Sequence, residues 1–261
     1  AQYHVNHARG RGRINQKLVD EFTKDARITQ NHSLLATLPL ECVWTTNYDH
    51  LIEDAFNAVH KRVDKKVVSD DLATTKPKRD VVVYKMHGDI DRPAEAVLTK
   101  ADYECYEQLR SLFSEQLRGD LLSKTFMFLG LSFTDPNVNY VLGRVRSLVG
   151  QNVRPHYWIT RDANKNTRAT AAEKKRQRHR IEDLKTYGIN TVLVGEYAEI
   201  TTILEELNRR VHRKNVFVSG SAHDYDPVGR DRGLALLRRL GGALIDEGFN
   251  LVSGMGLGVG D

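Results

Sequence analysis

Thr45-Thr46-Asn47-Tyr48-Asp49 and Lys85-Met86-His87-Gly88-Asp89 decide how this chain reads. Each pentapeptide follows an apolar, strand-like run: Cys42-Val43-Trp44 before the first, Val81-Val82-Val83-Tyr84 before the second. The second run is too continuously apolar for a half-exposed edge, which predicts a central strand. In parallel α/β sheets, polar residues just past the carboxyl ends of the strands line the crevice where ligands bind. An asparagine amide there can hold a sugar hydroxyl or orient a water, and a histidine titrates near neutrality and can take a proton. Asn47 and His87 are therefore a candidate catalytic pair. Each also has a plainer reading. Thr46, followed three residues later by Asp49, fits a helix capping box, and His87 alone fits a hydrogen-bonded loop histidine. Beside it, Gly88 would let a ligand approach the backbone closely, and Asp89 would place a carboxylate near the imidazole.

Outward from these strands the hydrophobic pattern alternates. Ile14, Leu18, Val19, Phe22 and Ala26 recur at helical spacing, and a second short helix is expected from Asn31 to Leu38. Tyr48 to His60 reads as a helix after the first strand, with Leu51, Ile52, Ala55, Phe56 and Val59 on one face. Lys66 to Ser69 reads as a weak strand and Ala96 to Thr99 as a short one, and a long helix is expected from Ala101 to about Leu122. Thr125 to Leu131 is the most apolar strand. It leads through Gly130-Leu131-Ser132-Phe133-Thr134-Asp135-Pro136 into a helix that Asp135 can cap and Pro136 can begin. Backbone N–H groups at such a helix start suit phosphate or ribose oxygens, although a plain strand-to-helix turn has the same composition. His156 to Thr160, Ala171 to Tyr187, Thr191 to Val194 and the stripe Ile200, Ile203, Leu204, Leu207, Val211 continue the alternation. The fold class is α/β, a doubly wound, mainly parallel sheet of Rossmann type.

Near His212 the pattern restarts with a strand at Val216-Phe217-Val218, a helix from Gly229 to Glu247 and a strand from Asn250 to Ser253. We therefore place one domain at residues 1–212 and the beginning of a second at 213–261. Ser219-Gly220-Ser221 and Gly254-Met255-Gly256-Leu257-Gly258-Val259-Gly260 follow the two strands of the second unit. Their glycines bend the backbone sharply or lay it against an anion, although Val259 breaks a GxGxxG spacing. The last turn feeds no helix, and a single strand-helix-strand unit buries too little core to stand alone, so the chain is expected to be part of a longer protein.

Composition narrows the function classes. Of 261 residues, 40% are hydrophobic and 28% charged, which fits a globular chain and not a disordered one. No apolar run reaches the ~20 residues needed to span a bilayer, so no membrane role is expected. The two cysteines, Cys42 and Cys105, form no CxxC pair; neither a disulfide framework nor a zinc knuckle is indicated, no metal is expected, and a reduced, cytoplasmic setting follows. The net charge of +5 is concentrated between Arg161 and Arg180. That run lacks aromatic residues for base stacking and reads as a solvated helix face, so nucleic acid is not the expected partner.

Taken in order, these pieces resemble the sirtuin-type NAD-consuming domain in its bacterial defence branch. Thr45-Thr46-Asn47-Tyr48-Asp49 resembles the sirtuin asparagine motif, Met86-His87-Gly88 the catalytic histidine motif, and Gly130-Leu131-Ser132 the later cofactor-binding turn. Arg11-Gly12-Arg13-Ile14-Asn15 and Ser132 to Asn137 extend the likeness. The C-terminal segment resembles the start of a SLOG domain, a Rossmann-like nucleotide sensor, and this layout is similar to that of the Thoeris antiphage NADase effectors. Two departures stand out. The glycine-rich turn that embraces the dinucleotide would lie upstream of Ala1, and the four-cysteine zinc module of the protein deacylases is lacking, which argues against peptide deacylation.

The resemblance implies NAD as substrate, with His87 as general base and Asn47 positioning water and ribose hydroxyls. Thr46, Asp49, Gly130 and Ser132 are then the cofactor-binding residues. It further implies activation by a cyclic ADP-ribose isomer, made by a partner TIR-domain enzyme and bound at Gly220, Ser221, Gly256 and Leu257. The protein would be a homo-oligomer, a tetramer or higher, and NAD depletion would stop the infected cell. Two other functions stay open on the residues alone: a non-catalytic nucleotide-sensing scaffold and a sirtuin-type protein deacylase.

Overall fold

The computed structural model describes residues 1, 3, 10–150, 154–218 and 227–253. The chain divides into two compact units, Ala1–Leu204 and Glu205–Asp261. In the first unit, helices α1 (Gly12–Thr23) and α2 (Gln30–Thr37) precede strand β1 (Cys42–Thr45). Helix α3 (Leu51–Ala58), strand β2 (Val63–Lys66) and strand β3 (Val81–Lys85) follow. Next come α4 (Lys100–Glu104), α5 (Tyr106–Ser123), β4 (Met127–Leu129), α6 (Pro136–Val149), β5 (His156–Arg161), α7 (Ala171–Lys185) and β6 (Ile189–Val194), and helix α8 (Ala198–Val211) runs through the boundary at Leu204.

Among the described residues all strand pairing is parallel, as the alternation requires, but in this unit it is divided between two three-stranded sheets. β3 lies between β1 and β2 in one, and β5 lies between β4 and β6 in the other. The central place of β3 explains its sequence: Val81, Val82 and Val83 are all buried, because a strand paired on both edges and covered on both faces has no wet side. The two sheets share a core in which Met86, Tyr106, Leu117, Val141, Trp158 and Leu184 pack together. Trp44 of β1 stacks on Tyr84 of β3 at 4.1 Å between ring centroids. Its indole N–H donates to Asp120 of α5 at 2.9 Å, so the aromatic pair is anchored at its polar edge.

Several local expectations are corrected. The weak strand expected at Lys66 to Ser69 lies earlier, at Val63–Lys66. Its sequence, Val-Asp-Lys-Lys, does not look like a strand. It forms one because Asp64 and Lys66 pair at 2.9 Å and Arg79 adds a second cation to Asp64 at 3.0 Å, which neutralises the buried charges. Ala96 to Thr99 is not a strand. Val97 donates to the His87 carbonyl at 2.8 Å, and Thr99 caps α4. The long helix expected from Ala101 is broken at Cys105 and kinked again at Arg110, whose backbone leaves the helical region at φ −133°. There the buried guanidinium donates to the carbonyls of Val67 and Glu95 at 2.5 and 2.8 Å. The tertiary contacts of Arg110 therefore override a sequence with no local breaker.

In the second unit, β7 (Asn215–Val218), α9 (Arg230–Asp246) and β8 (Asn250–Ser253) form a strand-helix-strand unit whose strands pair in parallel, Asn215 opposite Asn250. Gly220, Ser221, Gly256 and Leu257 lie outside the described residues. Among the described residues, no helix is long and apolar enough to cross a membrane.

Candidate active site

The register of β1 and β3 builds the site. The last paired residues are Thr45 and Lys85, and the ladder continues one step further as Met86 N–H donates to the Thr45 carbonyl at 3.0 Å. Asn47 and His87 therefore each lie two residues past a matched pair, on neighbouring strands about 4.8 Å apart. Both sit at the carboxyl edge, where parallel α/β sheets bind ligands.

Asn47 is exposed, and its side-chain amide makes no hydrogen bond among the described residues. Its backbone N–H donates to Thr45 Oγ1 at 3.0 Å, which fixes the turn out of the strand. The capping-box reading of Thr46 and Asp49 is corrected. Helix α3 begins at Leu51, its N-cap position is His50, and Asp49 Oδ1 accepts from Leu51 N–H at 3.1 Å. Thr46 is half-buried and free of that duty. Between them, Tyr48 turns inward and donates from its phenol to the Val97 carbonyl at 2.6 Å. Burial pushes that phenol well above its ordinary pKa, so it remains a donor.

His87 is buried, 4% exposed, with Tyr103 and Tyr106 standing edge-on to its ring at 5.4 and 6.4 Å. The charge beside it is not Asp89. Nε2 lies 3.0 Å from Asp135 Oδ2, oblique to the direction of a good hydrogen bond, and has no other partner among the described residues. The other oxygen of Asp135 accepts from the backbone N–H groups of Asn137 and Val138 at 2.9 and 3.1 Å. Burial would raise the Asp135 carboxyl, but His87 and these two amides outweigh it and hold the pKa below its ordinary value. Asp135 was legible as a helix cap. Its second role was hidden because it arrives from the other sheet.

Asp89 faces away into a different cluster. It is fully buried and meets Lys85 Nζ at 2.8 Å, Lys65 Nζ at 3.0 Å and His50 Nε2 at 2.9 Å, while accepting from Asp91 N–H at 2.8 Å. Burial opposes its ionisation, yet these partners keep the carboxyl far below the usual carboxylate range. His50, Asp89 and Asp91 bring their ligand atoms within 4.8 Å of one another, a spacing that could hold a cation. The Lys65 ammonium already supplies positive charge there, 2.8 Å from Asp91. A cleft of about 340 Å³ lined by Lys65, Val67, Asp71, Asp89, Asp91 and Arg92 opens beside this cluster.

Gly88 also serves a different purpose from the one its sequence suggested. Its φ is +98°, and a Cβ there would lie 2.9 Å from the Ala96 Cα. The close approach is to this chain's own backbone, which folds over the histidine turn and pairs with it through Val97. Gly130, at φ +67°, has open space where a side chain would be, so its glycine answers a backbone need. Ser132 is exposed and shares a 2.6 Å hydrogen bond with Thr134, and its carbonyl accepts from Arg180. Nearby in sequence, Asn137 is buried and its side-chain N–H₂ has no partner among the described residues.

Residues 41–190 match the SIR2-like domain model, and residues 199–261 match the Sir2- and TIR-associating SLOG family. The chain is 45% identical over 265 residues to the NAD(+) hydrolase ThsA of Bacillus cereus (strain MSX-D12), aligning in full and covering 56% of that protein. It is 44% identical over 274 residues to the NAD(+) hydrolase ThsA of Enterococcus faecium, again in full and over 57% of that protein. A more distant relative, Defense-associated sirtuin 2 of Bacillus subtilis, is 28% identical over 148 residues, 56% of this chain and 14% of that protein. The chain thus spans a little over half the length of the ThsA relatives.

Proposed function

The chain belongs to the SIR2-like family, with a SLOG-family segment after it, and on that premise we propose that its protein is an NAD glycohydrolase of bacterial antiphage defence. The observation that carries the proposal is the matched placement of Asn47 and His87 beyond paired residues of adjacent strands, with Asp135 against the imidazole. The reaction adds water across the bond between nicotinamide and ribose. Nicotinamide leaves with the bonding electron pair, the sugar passes through an oxocarbenium-like state, and water forms the new bond to carbon. The products are nicotinamide, ADP-ribose and a proton. Asn47, exposed and with an uncommitted amide, orients the water and a ribose hydroxyl. His87 takes the proton, and Asp135 stabilises the imidazolium that results. Thr46, Asp49, Gly130 and Ser132 contact the dinucleotide. No metal takes part.

Control is proposed to come from the SLOG segment, where Gly220, Ser221, Gly256 and Leu257 bind a cyclic ADP-ribose isomer made by a TIR-domain enzyme. Binding shifts a cytoplasmic homo-oligomer, a tetramer or higher, toward an open active site. The test is nicotinamide release by the full-length protein with NAD, with and without the cyclic nucleotide. Release that needs both supports the proposal. Saturable binding of the cyclic nucleotide with no NAD turnover in any condition would instead identify a sensing scaffold, and release of acyl groups from an acyl-lysine peptide would identify a deacylase.

A further inference from the structure

Lys85 is the last residue of a buried central strand, yet it is a lysine with no exposed surface. Its ammonium donates to the backbone carbonyls of Tyr48, at 3.1 Å, and of Asp49. It also meets Asp89 at 2.8 Å and Glu53 at 3.0 Å. The two carbonyls belong to the residues immediately after Asn47, and Asp89 lies two residues after His87. One buried cation therefore grips both turns that leave the strand ends. Adjacent ladder hydrogen bonds stop at Met86, and beyond that point the Tyr48 carbonyl accepts both the Ile90 N–H, at 3.1 Å, and the Lys85 ammonium, so the side chain reinforces a single backbone link between the turns.

We propose that Lys85 is a positioning residue for NAD cleavage, a clasp that sets the Asn47 turn against the His87 turn. The proposal rests on the NAD glycohydrolase reading. It separates Lys85 from the rest of the charge cluster, because its partners are not equally dependent on it. Asp89 keeps Lys65 and His50 if Lys85 is lost. Among the described residues Glu53 has no hydrogen-bond partner and only Lys85 as counter-ion, so removal of Lys85 alone would strand a buried carboxylate. The informative variant is therefore Lys85→Met combined with Glu53→Gln, which removes the clasp and the stranded charge together. Glu53→Gln alone is its control, since it leaves every contact from Lys85 to the two turns in place.

In full-length protein, activated for NAD cleavage, Glu53→Gln should keep kcat near the parent value. The double variant should lose roughly 100-fold in kcat, the scale expected when reacting groups are displaced by about 1 Å, with KM for NAD changed little. Normalising kcat to the folded fraction, read by circular dichroism, removes any loss that is merely structural. Full kcat per folded molecule in the double variant, or an equal loss in Glu53→Gln, would overturn the clasp. A double variant that does not fold where Glu53→Gln does would also overturn it, since Lys85 would then serve stability. Parent protein and His87→Ala are assayed alongside. An inactive parent, or an active His87→Ala, refutes the glycohydrolase reading instead.

Discussion

Replacing Asp135 with asparagine isolates the charge beside His87. Asparagine caps helices about as well as aspartate, so the bonds to the Asn137 and Val138 amides have a substitute and the cap's share of stability should be kept. What is lost is an anion 3.0 Å from Nε2. At an effective dielectric constant near 20, the gross attraction for an imidazolium at that distance is about 5 kcal/mol. Desolvation of both groups and the oblique geometry leave a net contribution no larger than the roughly 1.5–3 kcal/mol of hydrogen bonds to charged groups. If His87 becomes cationic in the transition state, kcat for NAD should fall roughly 10- to 100-fold, with KM nearly constant. Asp135→Ala should show the same loss in kcat and, in addition, about 1 kcal/mol lower stability from the missing cap. Steady-state nicotinamide release and urea unfolding on both variants separate the two effects. Parental kcat in Asp135→Asn would refute the pairing as a catalytic device.

Three further outcomes follow from the same contacts. Gly88→Ala combines a left-handed backbone with a Cβ 2.9 Å from the Ala96 Cα, and should lower unfolding free energy by about 2–4 kcal/mol; a urea midpoint matching the parent would contradict the close approach. Buried His156 is held neutral first by desolvation and then by Arg154, its pKa lowered from 6.5 to about 4. The unfolded chain then binds the extra proton between these values. The stability from this residue is full above pH 6.5 and lost as pH falls toward 4, the loss being about 2 kcal/mol at pH 5; His156→Gln should flatten that part of the urea-measured pH profile, and an unchanged slope would contradict it. Burial, with Asp120 nearby, pushes the Cys42 thiol up to about 11, whereas Cys105 is exposed. Iodoacetamide at pH 8 should therefore modify Cys105 and spare Cys42, as read by peptide mass spectrometry.

The strand ends carrying Asn47 and His87 were legible because apolar runs followed by polar turns have few other readings, and the family likeness fell on the same residues. Their matched register was not, since pairing depends on contacts far apart in the chain. The partner of His87 was misread for a related reason. Asp89 is two residues away in sequence, but the turn sends it toward Lys85 and Lys65, while Asp135 reaches the ring from the turn between β4 and α6. Lys85 itself carried a signal that could have been used. A lysine closing a run of three valines and a tyrosine has to bring partners with it into the interior. β2 was hard to place because its charges are neutralised by each other and by Arg79, and no composition rule separates such a strand from a loop. The break at Cys105 has no glycine or proline to announce it and follows from the packing of Arg110 and the cap at Thr99.

The central claim is that the edge shared by Asn47 and His87 cleaves NAD. Its most direct measurement is nicotinamide release by the activated full-length protein, compared with Asn47→Ala and His87→Ala of matched folded content. The account predicts that each variant loses at least about 100-fold in kcat while the parent turns over. Parental rates in either variant would contradict it.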